Sequence, residues 1–225
     1  MNRSGAIRVF ELGLVGRSLW DFVKGMCLLR SPDPWITIFG SARLGENNPA
    51  YRLGRELGRT LGRAGYAVMT GGGPGLMEAV NRGAREGGGR SLGCRMEFPF
   101  EQPVNRYFDH CATVRYFFVR KVVMCRRSMG FVVLPGGLGT LDEFFEILTL
   151  IQTRRMGPKP IVLLGCAYWS PLLLLLDAMV AAGTVASRDV SLIHVTDDID
   201  HAIALLTEPA ETVVFGAVAS GSSAA

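Results

Sequence analysis

The stretch FVVLPGGLGTLDE at residues 131–143 holds the pattern that decides the fold of this chain. Its first four residues, 131–134, are apolar, and a short apolar run that ends in turn residues predicts a strand buried on both faces. The glycines that follow in 135–140 predict a tight turn. The apolar spacing over 141–153 then predicts a helix. The stretch therefore predicts one strand–turn–helix unit of a parallel sheet.

The same unit recurs on both sides of this stretch. Strands that alternate with helices predict a parallel sheet, and right-handed crossovers place helices on both of its faces. We therefore expect a doubly wound, Rossmann-like α/β fold, with an irregular stretch over 97–113. The predicted strands are residues 35–39, 66–69, 90–96, 131–134, 161–164 and 191–195, and the predicted helices are residues 49–63, 76–86, 116–127, 141–153, 172–182 and 199–206.

Three segments are expected along the chain. In residues 1–33 apolar side chains recur at helical intervals, which predicts an amphipathic helical segment that packs on the domain or on a partner subunit. Residues 34–210 are expected to form the Rossmann-like domain. Residues 217–225 are mostly small and polar, and residues 211–225 are expected to be a disordered tail. The leading helix and the surplus of apolar residues favour a homodimer or a larger homo-oligomer.

The composition excludes several classes of protein. The 225 residues are 48% hydrophobic with a net charge of +4, which excludes a disordered chain and gives no reason to expect nucleic acid as a partner. Five scattered cysteines without a CxxC pair, and three histidines, predict neither a disulfide frame nor a metal site. The apolar stretch 161–182 is interrupted by Gly165 and Pro171, so we expect no membrane span. The scattered cysteines are typical of a reducing cytosol, so we expect a cytoplasmic protein.

Glycine-rich turns mark the candidate binding site. In open α/β sheets ligands bind beyond the carboxyl ends of the strands, where turns 40–43, 70–75 and 135–140 are expected. Glycines let the backbone approach a ligand, and the start of the next helix offers unpaired N–H groups that favour an anion. Thr140 suits the N-cap position. A phosphate-bearing ligand is therefore expected, while the lack of GxxxxGK[ST] and of an early GxGxxG excludes a Walker NTPase and disfavours an NAD domain.

Two charged residues are candidates for chemistry near these turns. Glu143 falls at the border of the apolar face of its predicted helix, where a carboxylate can orient water, take a proton or stabilise a cation. Acids in a first turn also simply complement the helix dipole, which accounts well for Asp142 and Glu146. Arg120 and Lys121 lie in an otherwise largely apolar helix, where Arg120 either pairs with an acid, extends to solvent or clamps an anion.

Four motifs taken together resemble those of the LOG (Lonely guy) family. They are GSAR at 40–43, TGGGPGLMEA at 70–79, RKVVM at 120–124 and PGGLGTLDE at 135–143. The resemblance extends over residues 35–207, and the phenylalanines before Arg120 are similar to the longer bacterial branch. Val123 stands where the plant-type RKxEM motif has Glu. Family members are cytokinin riboside 5′-monophosphate phosphoribohydrolases, often labelled lysine decarboxylases.

The resemblance implies a reaction and a set of site residues. The N-glycosidic bond of a nucleoside 5′-monophosphate, either a cytokinin riboside monophosphate or AMP, is cleaved to free base and ribose 5-phosphate without a cofactor. Glu143 is implied as the catalytic carboxylate and Arg120 as its partner. The implied substrate-binding residues are Gly136, Gly137, Gly139 and Thr140 for the phosphate, and Ser41, Gly72, Gly73, Glu101, Asn105 and Lys121 for the rest of the nucleotide.

Other functions fit the same fold. A non-catalytic nucleotide or molybdenum-cofactor carrier would use the same phosphate turns, and the presence of both Arg120 and Glu143 favours the enzyme. A DNA-processing protein is disfavoured by the modest net charge. A pyridoxal-dependent decarboxylase needs a Schiff-base lysine, and of the three lysines only Lys121 is predicted near the site.

Overall fold

Seven parallel strands form one sheet in the computed structural model, which describes residues 3–28, 35–98 and 105–207. They are β1 (Trp35–Phe39), β2 (Ala67–Thr70), β3 (Ser91–Met96), β4 (His110–Val114), β5 (Ser128–Val133), β6 (Ile161–Leu164) and β7 (Ile193–Thr196). Their order across the sheet is β4-β3-β2-β1-β5-β6-β7. Strands β2, β3 and β4 are added in turn on one side of β1, and the chain then crosses to the other side of β1 to form β5. Strands β1 and β5 therefore flank the switch point where ligands bind in such sheets.

Helices cover both faces of this sheet. They are α1 (Arg3–Leu28), α2 (Pro49–Arg63), α3 (Leu76–Glu86), α4 (Phe117–Cys125), α5 (Leu138–Gln152), α6 (Cys166–Ala181), α7 (Ser187–Val190) and α8 (Ile199–Thr207). Helices α2, α3 and α8 bury one face, which carries Ile36 and Val68. Helices α1, α4, α5 and α6 pack on the other, which carries Phe39 and Phe131. This arrangement confirms the predicted doubly wound, Rossmann-like α/β fold.

The structure differs from the predicted elements at α7, which was not predicted, and in two further places. The stretch 97–113, expected to be irregular, includes most of edge strand β4, whose largely exposed side chains gave no apolar run. The helix predicted over 172–182 begins already at Cys166 and contains Pro171. The hydroxyl of Ser170 donates to the carbonyl of Ala167 at 3.2 Å, and this is the carbonyl that the missing N–H of Pro171 leaves without its helical donor.

Glycines let helices α2 and α3 pack backbone to backbone. A Cβ added at Gly58 would collide with the carbonyl oxygen of Val80, and one added at Gly83 would collide with that of Arg55. Gly54 lies one turn before Gly58 on the same face of α2. The two helices therefore approach more closely than side chains on this face would allow, which positions the start of α3 under the site.

Helix α1 docks beside the edge of the sheet. The Asp21 carboxylate is fully buried, accepts the backbone N–H of Arg115 at 2.6 Å and lies 3.3 Å from the Arg115 guanidinium. Gly25 lies against Val123 of α4, where a Cβ would collide. The expected boundary at residues 33–34 and the expected tail at 211–225 lie outside the described residues.

Candidate active site

A cavity of about 550 Å³ opens at the carboxyl ends of the central strands. Its walls are residues 40–43 after β1, residues 71–73 after β2, the end of β3 and the start of α5. Phe117 and Arg120 of α4 close one side. The cavity spans the switch point between β1 and β5, and its volume lies in the range that holds a small-molecule ligand.

The start of α5 brings backbone amides to this cavity. Gly137 is the N-cap residue, and no side chain caps it. The N–H groups of Thr140 and Leu141 donate to the Gly137 carbonyl at 3.0 Å, so helical hydrogen bonding begins at the first turn of α5. The earlier amides have no acceptor inside the helix, and the helix dipole places partial positive charge there. Gly137, Leu138 and Gly139 line the cavity, which makes this end of α5 a candidate anion site.

The second glycine turn has a different role. The Leu76 N–H at the start of α3 donates to the Ser41 carbonyl at 2.9 Å, so this amide is already used inside the protein. Gly75 has a φ of 68°, and a Cβ there would lie 2.6 Å from the Ser41 carbonyl oxygen. The 71–75 turn therefore joins the loops after β1 and β2, and the Leu76 amide at the start of α3 is not free for a ligand.

Arg120 and Glu143 form an ion pair in the cavity wall. The Arg120 Nη1 atom lies 2.9 Å from Glu143 Oε1, and the two side chains are only 12% and 11% exposed. Arg120 Nε donates to the Cys94 carbonyl at 2.9 Å, which fixes the guanidinium from the β3 side. Two helices and a strand thus hold the pair in one orientation, with both residues facing the cavity.

Burial and the neighbouring Arg120 charge shift the pKa of Glu143 in opposite directions. Desolvation raises the pKa of this carboxyl above its usual range, and the adjacent Arg120 guanidinium partly lowers it again. A carboxylate in this position is a stronger proton acceptor than an exposed one. Carboxyl groups whose pKa is raised in a cleft beside a fixed charge are typical of functional sites.

Gly71 makes room for the arginine. A Cβ added at this residue would collide with the Arg120 guanidinium and lie 3.0 Å from Met77 Sδ. The sequence pattern singled out the glycine run for its contact with a ligand. The structure adds that one of these glycines accommodates a side chain of the site itself.

Most of the residues named from the sequence lie together. They are Ser41, Gly72, Gly73, Arg120, Gly137, Gly139, Thr140 and Glu143, all of which line the cavity. Thr140 is the third residue of α5 rather than its N-cap, which corrects the position expected from sequence. Its side chain lies under the turn, where a Cβ added at Gly136 would collide with it.

Three other named residues lie outside the cavity wall. Gly136 is buried behind the turn, and its carbonyl accepts the Tyr168 hydroxyl at 2.8 Å. Lys121 lies instead on the outer side of α5, where its ammonium contacts Asp142 at 2.9 Å and Glu146 at 2.6 Å. Hydrogen bonds to these two acids outweigh burial and raise the pKa of Lys121.

Asn105 also lies away from the cavity and has an internal role. It is 2% exposed, and its amide donates to the Gly73 carbonyl at 3.2 Å and to Asn81 Oδ1 at 3.0 Å. It therefore supports the 71–73 turn from behind, and the substrate contact expected from the sequence stays a prediction. Glu101, the remaining residue of the set, lies outside the described residues.

The cavity also has lining residues that the sequence reasoning missed. Arg43 and Arg95 add positive charge, and the Arg95 side chain lies over Gly72. Met96, Phe98 and Phe117 form an apolar wall. Their positions after β1, at the end of β3 and at the start of α4 are the signal that could have identified them, because carboxyl ends of parallel strands converge on one edge.

No group of three or more His, Cys, Asp or Glu side chains in residues 3–28, 35–98 and 105–207 is arranged to hold a metal ion. Among these same segments, none of the helices combines the length and apolarity needed to cross a membrane.

Comparisons with known proteins give the family. The model of a family described as "Possible lysine decarboxylase" matches residues 77–206. The cytokinin riboside 5′-monophosphate phosphoribohydrolase of Rhodococcoides fascians is 30% identical over 178 residues, which cover 77% of this chain and 89% of the relative. The enzyme of that name called LOG3 in Arabidopsis thaliana is 29% identical over 168 residues, with 73% and 77% coverage.

A solved structure shows the same fold. The molybdenum cofactor carrier protein of Chlamydomonas reinhardtii superposes with a TM-score of 0.55 at 27% identity, over 76% of this chain and 94% of that one. The residues that the family model matches include Arg120 and the whole PGGLGT turn. The bacterial relative is covered over most of its length. The chain therefore belongs to the LOG family.

Proposed function

We propose that the protein hydrolyses the N-glycosidic bond of nucleoside 5′-monophosphates, giving the free base and ribose 5-phosphate. The observation that carries this proposal is the buried ion pair between Arg120 and Glu143, which faces the same cavity as the uncapped start of α5. The start of α5 suits an anionic ester, and the Glu143 carboxylate suits the cationic carbon that forms when a base leaves a ribose.

Phosphate binding is assigned to the start of α5. The amides of Leu138 and Gly139 and the positive end of the helix dipole favour a dianion at this point. Gly137 and Gly139 leave their surroundings open, since a Cβ at either would meet no atom within 4 Å. A phosphate can therefore approach the backbone closely. Binding energy from this remote group orients the ribose toward Glu143.

Glu143 is assigned the chemical step. The C1′–N bond breaks, its electron pair leaves with the base, and positive charge develops at C1′. The Glu143 carboxylate stabilises that charge and takes a proton from the water whose oxygen bonds to C1′. The proton then passes from Glu143 to the departing base or to solvent, which restores the carboxylate.

Arg120 is assigned a supporting task. Burial favours the neutral acid at Glu143, and the Arg120 guanidinium opposes this by lowering the pKa of the carboxyl and so favouring its ionised form. The bond to the Cys94 carbonyl holds the guanidinium in place during the reaction. Arg120 therefore acts on the rate mainly by setting the charge and the direction of the carboxylate.

The base is assigned to the apolar wall. Met96, Phe98 and Phe117 offer flat and flexible apolar surface to a purine, and the same wall suits an adenine that carries an apolar substituent. The substrates proposed are therefore AMP, cytokinin riboside monophosphates, or both. A panel of nucleoside monophosphates, followed by chromatography of the released base, separates these options.

Replacement of the carboxylate tests the proposal. With AMP or isopentenyladenosine monophosphate as substrate, Glu143→Gln is expected to lower kcat by roughly 10²- to 10⁴-fold while AMP still binds. Glu146→Gln is the matched control, since Glu146 lies one turn along α5 and contacts Lys121 outside the cavity wall. Turnover by Glu143→Gln at the wild-type rate would refute the catalytic assignment.

A second candidate function is a molybdenum-cofactor carrier. The likeness to the carrier of Chlamydomonas reinhardtii at 27% identity favours it, because a phosphorylated pterin would use the same α5 site. The carrier needs no general base, so the two functions differ at Glu143. Binding of the molybdenum cofactor together with no release of base from any nucleoside monophosphate would favour the carrier.

A further inference from the structure

The peptide group between Gly136 and Gly137 lies where the chain enters α5. Its carbonyl belongs to Gly136, which is buried and lies outside the cavity wall. Its N–H belongs to Gly137, which is exposed and lines the cavity. The peptide is planar and trans, so its carbonyl and its N–H point in opposite directions. A contact that holds the carbonyl behind the turn therefore also sets the direction of the N–H.

Glycine on both sides makes this peptide group easy to turn over. A side chain restricts the rotation of its own backbone, whereas glycine adopts positive and negative φ about equally well. Neither Gly136 nor Gly137 therefore fixes the peptide plane by itself. The two orientations have opposite effects on an anion, because one presents an N–H and the other presents a carbonyl oxygen. A contact from another element is needed to select the orientation that suits a phosphate.

The Tyr168 hydroxyl supplies this contact. It donates to the Gly136 carbonyl at 2.8 Å, the usual length of an O–H···O hydrogen bond. In the part of the chain that the structure describes, no protein group accepts the Gly137 N–H, so this donor is available to a ligand. The bond from Tyr168 also polarises the peptide group, which makes the Gly137 N–H a stronger donor.

The start of α6 holds Tyr168 in place. Its ring contacts the buried Trp169 edge to face, with 4.9 Å between the ring centroids. Gly165 is the N-cap of α6 and lies beside Pro135, since an added Cβ would be 3.5 Å from Pro135 Cγ. Strand β6 pairs with β5, so α6 begins next to the turn that follows β5. Tyr168 therefore contacts the turn from a neighbouring, packed helix.

A second contact fixes the preceding peptide group. The Ser41 N–H donates to the Pro135 carbonyl at 3.0 Å. Ser41 lies in the loop after β1, on the side of β5 opposite β6. The turn is therefore held by the elements that follow both neighbouring strands. The Ser41 contact uses backbone atoms, whereas the contact at Gly136 depends on the Tyr168 side chain and is open to substitution.

We propose that Tyr168 is a positioning residue for the phosphate, and that its hydroxyl directs the Gly137 N–H toward that anion. This role rests on the proposed function, which places the phosphate at the start of α5. Tyr168 itself lies outside the cavity wall, so it acts through Gly137. Loss of its hydroxyl should therefore weaken the binding of a phosphorylated ligand and leave the binding of the unphosphorylated counterpart unchanged.

Binding of AMP and adenosine tests this role. Dissociation constants are measured by calorimetry in a Glu143→Gln background, which keeps AMP intact. Tyr168→Phe is expected to raise the dissociation constant for AMP roughly tenfold, the effect of weakening one charge-assisted hydrogen bond, and to leave that for adenosine unchanged. Tyr51→Phe is the matched control, because the Tyr51 hydroxyl donates to Glu78 at 3.1 Å and neither residue lines the cavity.

The Gly137 amide gives a second readout by nuclear magnetic resonance. Addition of AMP to isotope-labelled protein is expected to shift the Gly137 amide proton downfield, because a hydrogen bond to phosphate forms. Adenosine is expected to leave this proton in place. In Tyr168→Phe the downfield shift at saturating AMP should be smaller, while Tyr51→Phe should retain it in full.

Three results separate this role from its alternatives. Unchanged AMP binding in Tyr168→Phe, or equal losses for AMP and adenosine, would overturn it, since equal losses indicate a purely structural effect. Preferential binding of AMP without release of base would refute the proposed hydrolysis, and a selective loss of AMP binding in Tyr168→Phe would still support the positioning role. Wild-type protein that binds AMP no better than adenosine would remove the phosphate site and the role of Tyr168 with it.

Discussion

At the scale of single residues, the proposed reaction depends on the protonation state of Glu143. Burial raises the pKa of this carboxyl, and Arg120 opposes that rise. The proposed step needs the ionised form, so the rate falls as the pH drops through this raised pKa. The acid limb of the kcat profile is therefore expected above the ordinary glutamate value of about 4.3.

Arg120→Gln is predicted to move this acid limb further up. The variant removes the adjacent positive charge, which lowers the pKa of Glu143, and leaves burial in place, so this pKa should rise further. The measurement is the residual rate of base release against pH. Lys121→Gln is the control, since Lys121 contacts Asp142 and Glu146 and contributes less to Glu143. An acid limb that stays in place in Arg120→Gln would contradict the assigned role.

Sequence reasoning reached the two charged residues of the site but not all of their neighbours. Arg120 is identifiable because it lies in a largely apolar helix, and Glu143 because it lies at the border of an apolar helical face directly after a glycine turn. Lys121 follows Arg120 by one residue, which turns its side chain about 100° around the helix and away from the cavity. Asn105 is used to satisfy buried polar groups, and a polar residue in an irregular stretch does not reveal from sequence whether its partner is a ligand or a carbonyl.

At the scale of elements, glycines set the distance between α2 and α3. A Cβ at Gly83 would collide with the Arg55 carbonyl and lie 2.9 Å from the Arg59 nitrogen, and both are backbone atoms that cannot move alone. The separation of the two helices also sets the position of the α3 start, whose first amide binds Ser41. The contact between α2 and α3 thus influences the position of the Ser41 loop in the cavity wall.

Gly83→Ala is predicted to destabilise the protein. The overpacking cost of roughly 1–3 kcal/mol is expected to exceed the gain in helix propensity of about 1 kcal/mol or less. Gly13→Ala is the matched control, because Gly13 is also helical and a Cβ there meets nothing within 4 Å. The measurement is the free energy of unfolding from denaturant titration. A Gly83→Ala variant as stable as Gly13→Ala would show that the helices can separate freely.

Local signals explain which elements were predictable. Helix α2 begins at Pro49 after Asn48, whose side chain accepts the Ala50 N–H at 2.9 Å, so its start could be predicted from residue types alone. Strand β4 has two buried residues among five, and edge strands of this kind lack the apolar run on which prediction depends. In α6, Pro171 was interpreted as a break, because the compensating Ser170 hydroxyl bond depends on three-dimensional geometry.

At the scale of the whole molecule, the sheet order brings the loops after β1, β2 and β3 to the start of α5. Residues after β1, β2 and β3 meet the start of α5 only because β5 pairs with β1 on the side opposite β2. The amides of α5 and the Glu143 carboxylate then face one cavity. The central claim is that the α5 amides hold a phosphate while the Glu143 carboxylate acts on the sugar that carries this phosphate.

Comparison of AMP with adenosine tests that claim most directly. Wild-type protein is expected to release adenine from AMP with a kcat/KM roughly 100-fold or more above that for adenosine, because adenosine forgoes about two charge-assisted hydrogen bonds worth about 1.5 kcal/mol each. Ribose 5-phosphate should appear in equal amount to adenine. Equal rates on AMP and adenosine, or no base released from any nucleoside 5′-monophosphate, would contradict the account.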